Sequence, residues 1–474
     1  MNKKIFTILL FTGSLCLFGQ GQLNGSWYLE SGYQTDKHEN YFEQGLDVNF
    51  RNGNWLVGAK FEQFDPAKPQ SLMNEDQGLW HKYVSYKSEK LHVRLGSFYT
   101  TFGRGLTLKA YDLQTIGLDR RIQGILVEYD QKYMKVKALG GKIYGTDRNT
   151  ENPIKGVEWT FKPFSFFNFG GSQVQTEMQY SSETMWSSVF GELNFSFMNL
   201  YGEHAFDGEF SSSFMNIFGE SASDREDAGT ADYVAVNFFL GSISILGEWK
   251  DYEQFGKSDN VVLYNDPPTM VQEHRFILWN RHGYVLNAWD EVGFSVKLDT
   301  PVAEDGILTM QHNHTELHSD FPVFEESYAI LEWEFEKLES AVIAGVQEDF
   351  SYQHKNLGFE FLFPMGNYHI GFIVEAQRRE SIWVDSFDES QALTFDFTFN
   401  PNHILSLIAE HTTADDSDNQ EWVGLKYGSR WGKNFECSVF LGSRRKGKIC
   451  AGGVCVYTPE FEGFEVAGKY RFGS

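Results

Sequence analysis

The sequence predicts an all-β protein, a single large transmembrane antiparallel β-barrel, and three observations support this prediction. Many segments alternate apolar and polar residues one by one, which is the pattern of a strand with one apolar and one polar face. Short turns alternate with long polar loops, as at the two rims of an outer-membrane barrel. The chain also starts with an export signal.

Residues 1–19 have the three parts of a signal peptide. Lys3 and Lys4 give the basic start, residues 5–18 are apolar, and Gly19 supplies the small residue for cleavage. We expect the exported chain to reside in the bacterial outer membrane. No linker composition divides the remainder, so residues 20–474 are predicted to be one barrel domain.

The strand pattern is clearest in AILEWEFEK (329–337) and ALTFDFTFN (392–400). In the first, Leu331, Trp333 and Phe335 share one face while Glu332 and Glu334 share the other. A soluble sandwich would bury the aromatic face, but the full charges on the opposite face suit a wet lumen. The alternating windows give about 24 strands, with a range of roughly 20–26 and an even number expected. The longer polar loops fall at 65–78, 205–229, 253–271, 379–390 and 412–420.

The alternation stops in FYTTFGRGLTLKAYDLQTIGLDRRIQG, residues 98–124. Backbone without regular pairing is tolerated at bilayer depth only inside the barrel or in water at a rim. We therefore predict an inward-folded constriction loop near 100–121, with a short helical turn in its middle. Its glycine hinges would be Gly103, Gly105 and Gly117. Its constriction or lumen candidates are Arg104, Tyr111, Asp112, Asp119, Arg120 and Arg121. These charges either anchor the loop to the wall or contact solute.

This stretch resembles the most characteristic segment of an uncharacterised family of exported, porin-like barrel proteins from Bacteroidota and related bacteria. The family pattern is close to G-x-F-Y-x-x-F-G-x-G-L-x-L-x-x-Y-x-x-x-x-x-G-x-D. The matching positions are Gly96, Phe98, Tyr99, Phe102, Gly103, Gly105, Leu106, Leu108, Tyr111, Gly117, Asp119 and Gly124. The resemblance implies an outer-membrane barrel of unknown activity, and it supplies neither a substrate nor a catalytic residue.

The leading functional hypothesis is a porin-like passive channel for small hydrophilic solutes, constricted by the loop 100–121. The chain has a net charge of −25, and a wet lumen with an excess of Glu would favour cations over anions. The alternative is an occluded structural or accessory barrel in secretion or envelope assembly. The sequence shows no set of nucleophile and base that would indicate an enzyme. Its negative charge argues against nucleic acid as a partner.

We expect outer-membrane lipid and lipopolysaccharide as partners and no cofactor, apart from Ca²⁺ at the acidic outer loops. Beyond the signal peptide three cysteines remain. A hairpin near 445–447 would bring Cys437 opposite Cys455, so a disulfide and a role as apolar fillers both stay open.

Overall fold

The computed structural model describes residues 21–35, 37–68, 76–113, 118–177, 183–208, 229–259, 261–335, 338–414, 419–451 and 454–473. Within these ranges, one 24-stranded sheet contains the predicted strands. In chain order they are β1 Gln22–Gln34, β2 Glu39–Asn52, β3 Trp55–Phe64, β4 Asp76–Lys87, β5 Leu91–Phe98, β6 Ile122–Gln131, β7 Met134–Tyr144, β8 Glu151–Phe164, β9 Phe167–Glu177, β10 Glu183–Phe195, β11 Met198–Asp207, β12 Thr230–Leu240, β13 Ile243–Glu253, β14 Asp290–Val302, β15 Gly306–Glu316, β16 Pro322–Phe335, β17 Leu338–Asp349, β18 Tyr352–Met365, β19 Tyr368–Ser381, β20 Phe387–Phe399, β21 His403–Thr412, β22 Glu421–Trp431, β23 Phe435–Arg444 and β24 Phe461–Phe472.

The sheet closes into a barrel. Each strand pairs antiparallel with its neighbour, and β1 pairs with β24 from Gly25 opposite Phe472 to Gln34 opposite Gly463. Closure leaves no open sheet edge, which is the condition for spanning a membrane with strands. The predicted fold class and the count of about 24 strands are confirmed. Among the described residues, no helix is long and apolar enough to cross a membrane.

The two rims of the barrel differ in the length of their connections. At one rim the strands are joined by turns of two or three residues, such as those after Asn52 and Met365. At the other rim most connections are longer, although only residues 350–351 join Asp349 to Tyr352, and the longest are residues 99–121 and 254–289. β1 begins and β24 ends at the short-turn rim. We call the opposite rim the long-loop rim.

The strands present an apolar outer face and a polar inner face, as their alternation predicts. On β16, Trp333 is 40% exposed and Phe335 is 63% exposed on the outside, where an apolar face would meet lipid. Glu332, on the other face of the same strand, meets Arg275 of the 254–289 connection inside the barrel, with Nη2 and Oε1 3.0 Å apart. The period-two pattern therefore assigns the faces correctly here.

Two long connections fold into the barrel from the long-loop rim. The first inward segment, residues 99–121, contains two small hairpins, pairing Thr100–Phe102 with Leu108–Ala110 and Asp112–Leu113 with Leu118–Asp119. The predicted inward loop is thus present, but the predicted helical turn is wrong in the described part of the segment, where backbone pairing favours hairpins. The second inward segment, residues 254–289, was expected to be a polar loop over 253–271; instead it enters the lumen and carries a 3-10 turn at Leu278–Asn280.

The cysteine pairing considered above is wrong. Cys437 lies opposite Gly468 in the β23–β24 register and is a free cysteine. The hairpin after β23 is a separate one, formed by Gly447–Ala451 and Val454–Thr458, and its backbone register places Cys450 opposite Cys455. The observed hairpin differs from the predicted one because the chain leaves the barrel wall at Arg444. The hairpin therefore does not continue β23.

Candidate functional site

The turn Phe102-Gly103-Arg104-Gly105 is held by carboxylates of the barrel wall. The amide of Gly103 donates to Glu158 on β8 over 2.7 Å, and the amide of Arg104 donates to Glu203 on β11 over 2.8 Å. Both glycines have a positive φ, +51° and +92°, a region that glycine enters without steric cost. The two successive amides form a small anion-binding concavity, and the wall fills it with its own carboxylates.

Asp119 is the centre of a buried polar cluster. It is 1% exposed, and it accepts hydrogen bonds from Tyr99 Oη at 2.9 Å and from Arg121 Nη1 at 2.7 Å, with His81 Nε2 3.3 Å away. Burial alone would raise the pKa of Asp119, but the His81 hydrogen bond and the nearby charges of Arg121 and Arg148 outweigh it, so the pKa lies well below its ordinary value. Asp119 is therefore an ionised anchor inside the segment.

The remaining predicted cations have different surroundings. Arg121 is buried, with its guanidinium 4.2 Å from the ring centroid of Tyr144. Arg120 is also buried, and it donates to the Asn265 carbonyl over 3.2 Å. The side chain of Arg104 is exposed and lies 4.7 Å from the Tyr201 ring centroid. Of the three arginines proposed for the lumen surface, only Arg104 is accessible there. Gly117 lies outside the described residues.

The two inward segments interlock. The amide of Asp266 donates to the Gly105 carbonyl over 3.1 Å, and the amide of Lys109 donates to the Tyr264 carbonyl over 2.9 Å. The carboxylate of Asp266 binds Lys109 Nζ at 2.7 Å and Tyr111 Oη at 3.1 Å. Both backbone and side chains join them, so we treat the two segments as one unit and call it the plug.

The second inward segment also attaches at a distant part of the wall. The amides of Ile277 and Leu278 donate to Glu375 on β19 over 2.9 and 2.8 Å. Arg281 Nη2 meets Glu410 on β21 at 2.6 Å. The segment thus runs from contacts with the first inward segment to strands β19 and β21, and it crosses the lumen.

The plug leaves a cavity on one side, which we call the seam cavity because it adjoins the β1–β24 closure. Its volume is about 460 Å³. Its charged lining consists of five carboxylates and three cations: Glu30, Glu43, Glu62, Asp112 and Glu436, with Lys68, Arg148 and Lys469. Asp112 is the one sequence-predicted lumen residue that lines it.

The sequence analysis missed the second inward segment, although the segment carries a signal. Phe255, Tyr264, Phe276 and Trp279 crowd into a stretch that has no alternation. All four are at most 1% exposed. Large apolar side chains at this density do not suit an exposed loop, and this argument was available from composition alone.

For metal binding, no group of three or more His, Cys, Asp or Glu residues is positioned to hold an ion within the described ranges. The acidic stretches expected to attract Ca²⁺ lie largely outside them.

Comparison with known proteins gives a family and a fold. A protein-family model described as "Family of unknown function (DUF6029)" matches residues 1–424. No curated protein matches the sequence. Among solved structures, one chain of the E. coli P pilus tip assembly intermediate PapC-PapD-PapK-PapG has a TM-score of 0.57 at 10% identity, covering 95% of this chain and 60% of that chain. The P pilus usher (PapC) translocation pore has a TM-score of 0.53 at 10% identity, covering 95% of this chain and 99% of that chain. The siderophore receptor PirA from Pseudomonas aeruginosa follows with a TM-score of 0.47 at 9% identity, covering 95% and 80%. At these identities the likeness concerns the fold, a large barrel of the outer-membrane type.

Proposed function

We propose, for a chain that belongs to DUF6029, a family of unknown function, that it is a constricted passive channel of the bacterial outer membrane for small hydrophilic solutes. The observation that supports this best is the seam cavity, a polar space of about 460 Å³ between the plug and the wall. The path for solute runs through this cavity, because the plug is bonded to the wall at the other sites described above. A wide open pore is not the expectation.

The charge of the cavity favours cations. Its lining has five carboxylates against three cations, and rings of acidic side chains select cations in membrane pores. Arg104 remains an accessible cation at the lumen surface beside Tyr201, away from the seam cavity, whereas Arg120 and Arg121 anchor the plug. Passive transport requires no chemical reaction, so we propose no catalytic residue.

The orientation follows from the rims. In outer-membrane barrels, short turns face the periplasm and long loops face outward, so the plug enters from the outer side. The apolar outer face then meets lipid, and lipopolysaccharide is the proposed partner of the outer leaflet. Ca²⁺ bridging at the acidic outer loops remains part of the proposal.

The experiment is single-channel recording in planar bilayers with two matched variants. Asp266→Asn weakens the joint between the inward segments, because it removes the charge that holds Lys109. Asp396→Asn, on the lumen side of β20, removes a lumen charge without touching the plug. We expect a small steady conductance for the wild-type protein, larger openings for Asp266→Asn, and the wild-type conductance for Asp396→Asn.

A second candidate function is an occluded accessory barrel, and one observation favours it. The plug also covers lumen-facing wall residues that lie far around the barrel from the seam cavity. Trp186 on β10, Tyr252 on β13 and Tyr328 on β16 are at most 8% exposed. Silence of the inserted wild-type protein, with conduction only in Asp266→Asn, would support this candidate and reject the passive channel.

A further inference from the structure

We propose that Lys68 sets the ion selectivity of the seam cavity by acting as a tethered counter-ion for Glu30 and Glu43. The inference rests on the proposed channel function and names a specificity-determining residue for it. Lys68 lies just beyond the end of β3, in the connection at the long-loop rim, and its side chain lines the cavity.

Lys68 binds the two carboxylates directly. Its Nζ atom lies 2.6 Å from Glu30 Oε2 and 3.7 Å from Glu43 Oε2. Its own amide donates to Glu43 Oε1 over 2.8 Å. The approach of this connection is fixed by backbone hydrogen bonds, from Asp65 to the Phe42 carbonyl and from Phe42 to the Pro66 carbonyl. The ammonium is therefore held at the carboxylates by the chain itself.

The other carboxylates of the cavity have cations from the wall or from nearby connections. Glu62 pairs with Lys60 and with Arg148, each at 2.8 Å. Asp112 lies 3.3 Å from Lys60. Glu436 pairs with Arg471 at 2.9 Å and with Arg430 at 3.1 Å.

Glu30 and Glu43 differ from these. In the part of the chain that the structure describes, Lys68 is the one cation within salt-bridge distance of either residue. The balance of charge on this wall of the cavity therefore depends on a single side chain. The Lys68 side chain is 15% exposed, so its ammonium is at the cavity surface, where a passing cation would compete with it for the same carboxylate oxygens.

A charge at this position acts strongly because it lies at the surface of the proposed path. The interaction between charges a few ångströms apart in a protein environment exceeds that in bulk water by several-fold. A charge elsewhere in the water-filled lumen is screened over a Debye length of about 8 Å at physiological salt. Removing Lys68 should therefore change selectivity, and removing a distant lumen lysine should not.

The test measures reversal potentials across a KCl gradient for the wild-type protein, Lys68→Gln, Lys68→Arg and Lys297→Gln. Lys297 lies on the lumen side of β14, far around the barrel from the seam, its side chain is 30% exposed, and it does not line the seam cavity. We expect Lys68→Gln to raise the ratio of K⁺ to Cl⁻ permeability by roughly threefold to tenfold, as for one unit charge beside a low-dielectric path. Lys68→Arg keeps the charge, and we expect the wild-type ratio for it and for Lys297→Gln.

Other results would overturn the inference in distinguishable ways. Equal ratios for the wild-type protein and Lys68→Gln, or equal shifts for Lys68→Gln and Lys297→Gln, would reject Lys68 as the selectivity residue while the channel function stands. A shift in Lys68→Arg as large as that in Lys68→Gln would show that side-chain shape, not charge, is responsible. Silence of all four inserted proteins would reject the channel function itself, and this inference with it.

Discussion

Gly103 is the position where a single added methyl group should detach the first inward segment. Its φ of +51° lies in the left-handed region, which costs a non-glycine residue about 1–2 kcal/mol. In Gly103→Ala, the new Cβ would also lie 2.3 Å from Glu203 Oε1 and 2.5 Å from Oε2. The carboxylate would have to move, although it is buried and fixed.

The cost of that movement follows from the hydrogen bonds of Glu203. It accepts from the Arg104 amide at 2.8 Å, from Tyr201 Oη at 2.7 Å and from Ser188 Oγ at 2.9 Å. A hydrogen bond to a charged group contributes about 1.5–3 kcal/mol. Loss of one or two of these bonds, added to the backbone strain, destabilises the plugged state by about 2.5–8 kcal/mol. Since about 1.4 kcal/mol is a factor of ten, closure should weaken by roughly two to six powers of ten.

Gly53 supplies the matched control. Its φ of +56° is nearly the same, but its Cβ position has no atom within 4 Å. Hydrogen exchange of peptides covering residues 100–113 should lose protection in Gly103→Ala and keep it in Gly53→Ala. The Lys109 amide, bonded to Tyr264, is the most informative probe. Equal protection in the two variants would refute the reasoning, because it would mean that the Glu203 seat does not hold the segment.

Two further predictions concern buried charges. Asp119→Asn should lower the stability measured by urea unfolding by about 3–5 kcal/mol at neutral pH, because Arg121 loses its partner. Since the folded pKa of Asp119 is lowered, the wild-type advantage should be complete above the unfolded value of about 4 and shrink as the pH falls from there toward the folded pKa; an advantage that grows in acid would contradict this. Lys250→Met should also destabilise by about 3–5 kcal/mol, because it leaves the fully buried Glu291 without its cation. The double variant Lys250→Met with Glu291→Met should recover most of this loss in the same unfolding assay, and equal losses in the single and double variants would argue against the pair.

The sequence predicts the wall of this barrel well and the plug poorly, for a physical reason. Alternation reports which face of a strand meets lipid, and that is enough to place Trp333 outside and Glu332 inside. It does not report which lumen residue receives an incoming loop. Glu158 and Glu203 lie 55 and 99 residues from the amides that they bind, and in the sequence they look like other inward carboxylates. The first inward segment could be recognised in the sequence because it lacks the alternating pattern. The second inward segment could be recognised only by its high density of aromatic residues.

The composition of the inner wall supports the proposed path for solute at the seam. On β8 and β9, away from the seam, the inner wall carries apolar residues: Ile154 and Val174 are at most 1% exposed, packed in one cluster with Leu106 and Leu108 of the first inward segment. Opening a path there would return this apolar surface to water, at roughly 25 cal/mol for each square ångström exposed. Next to the seam, the wall instead presents hydroxyl, carboxylate and ammonium groups that water solvates at little cost. The plug is therefore most stable when it stays packed against the apolar part of the wall. A hydrated path requires the least rearrangement at the seam.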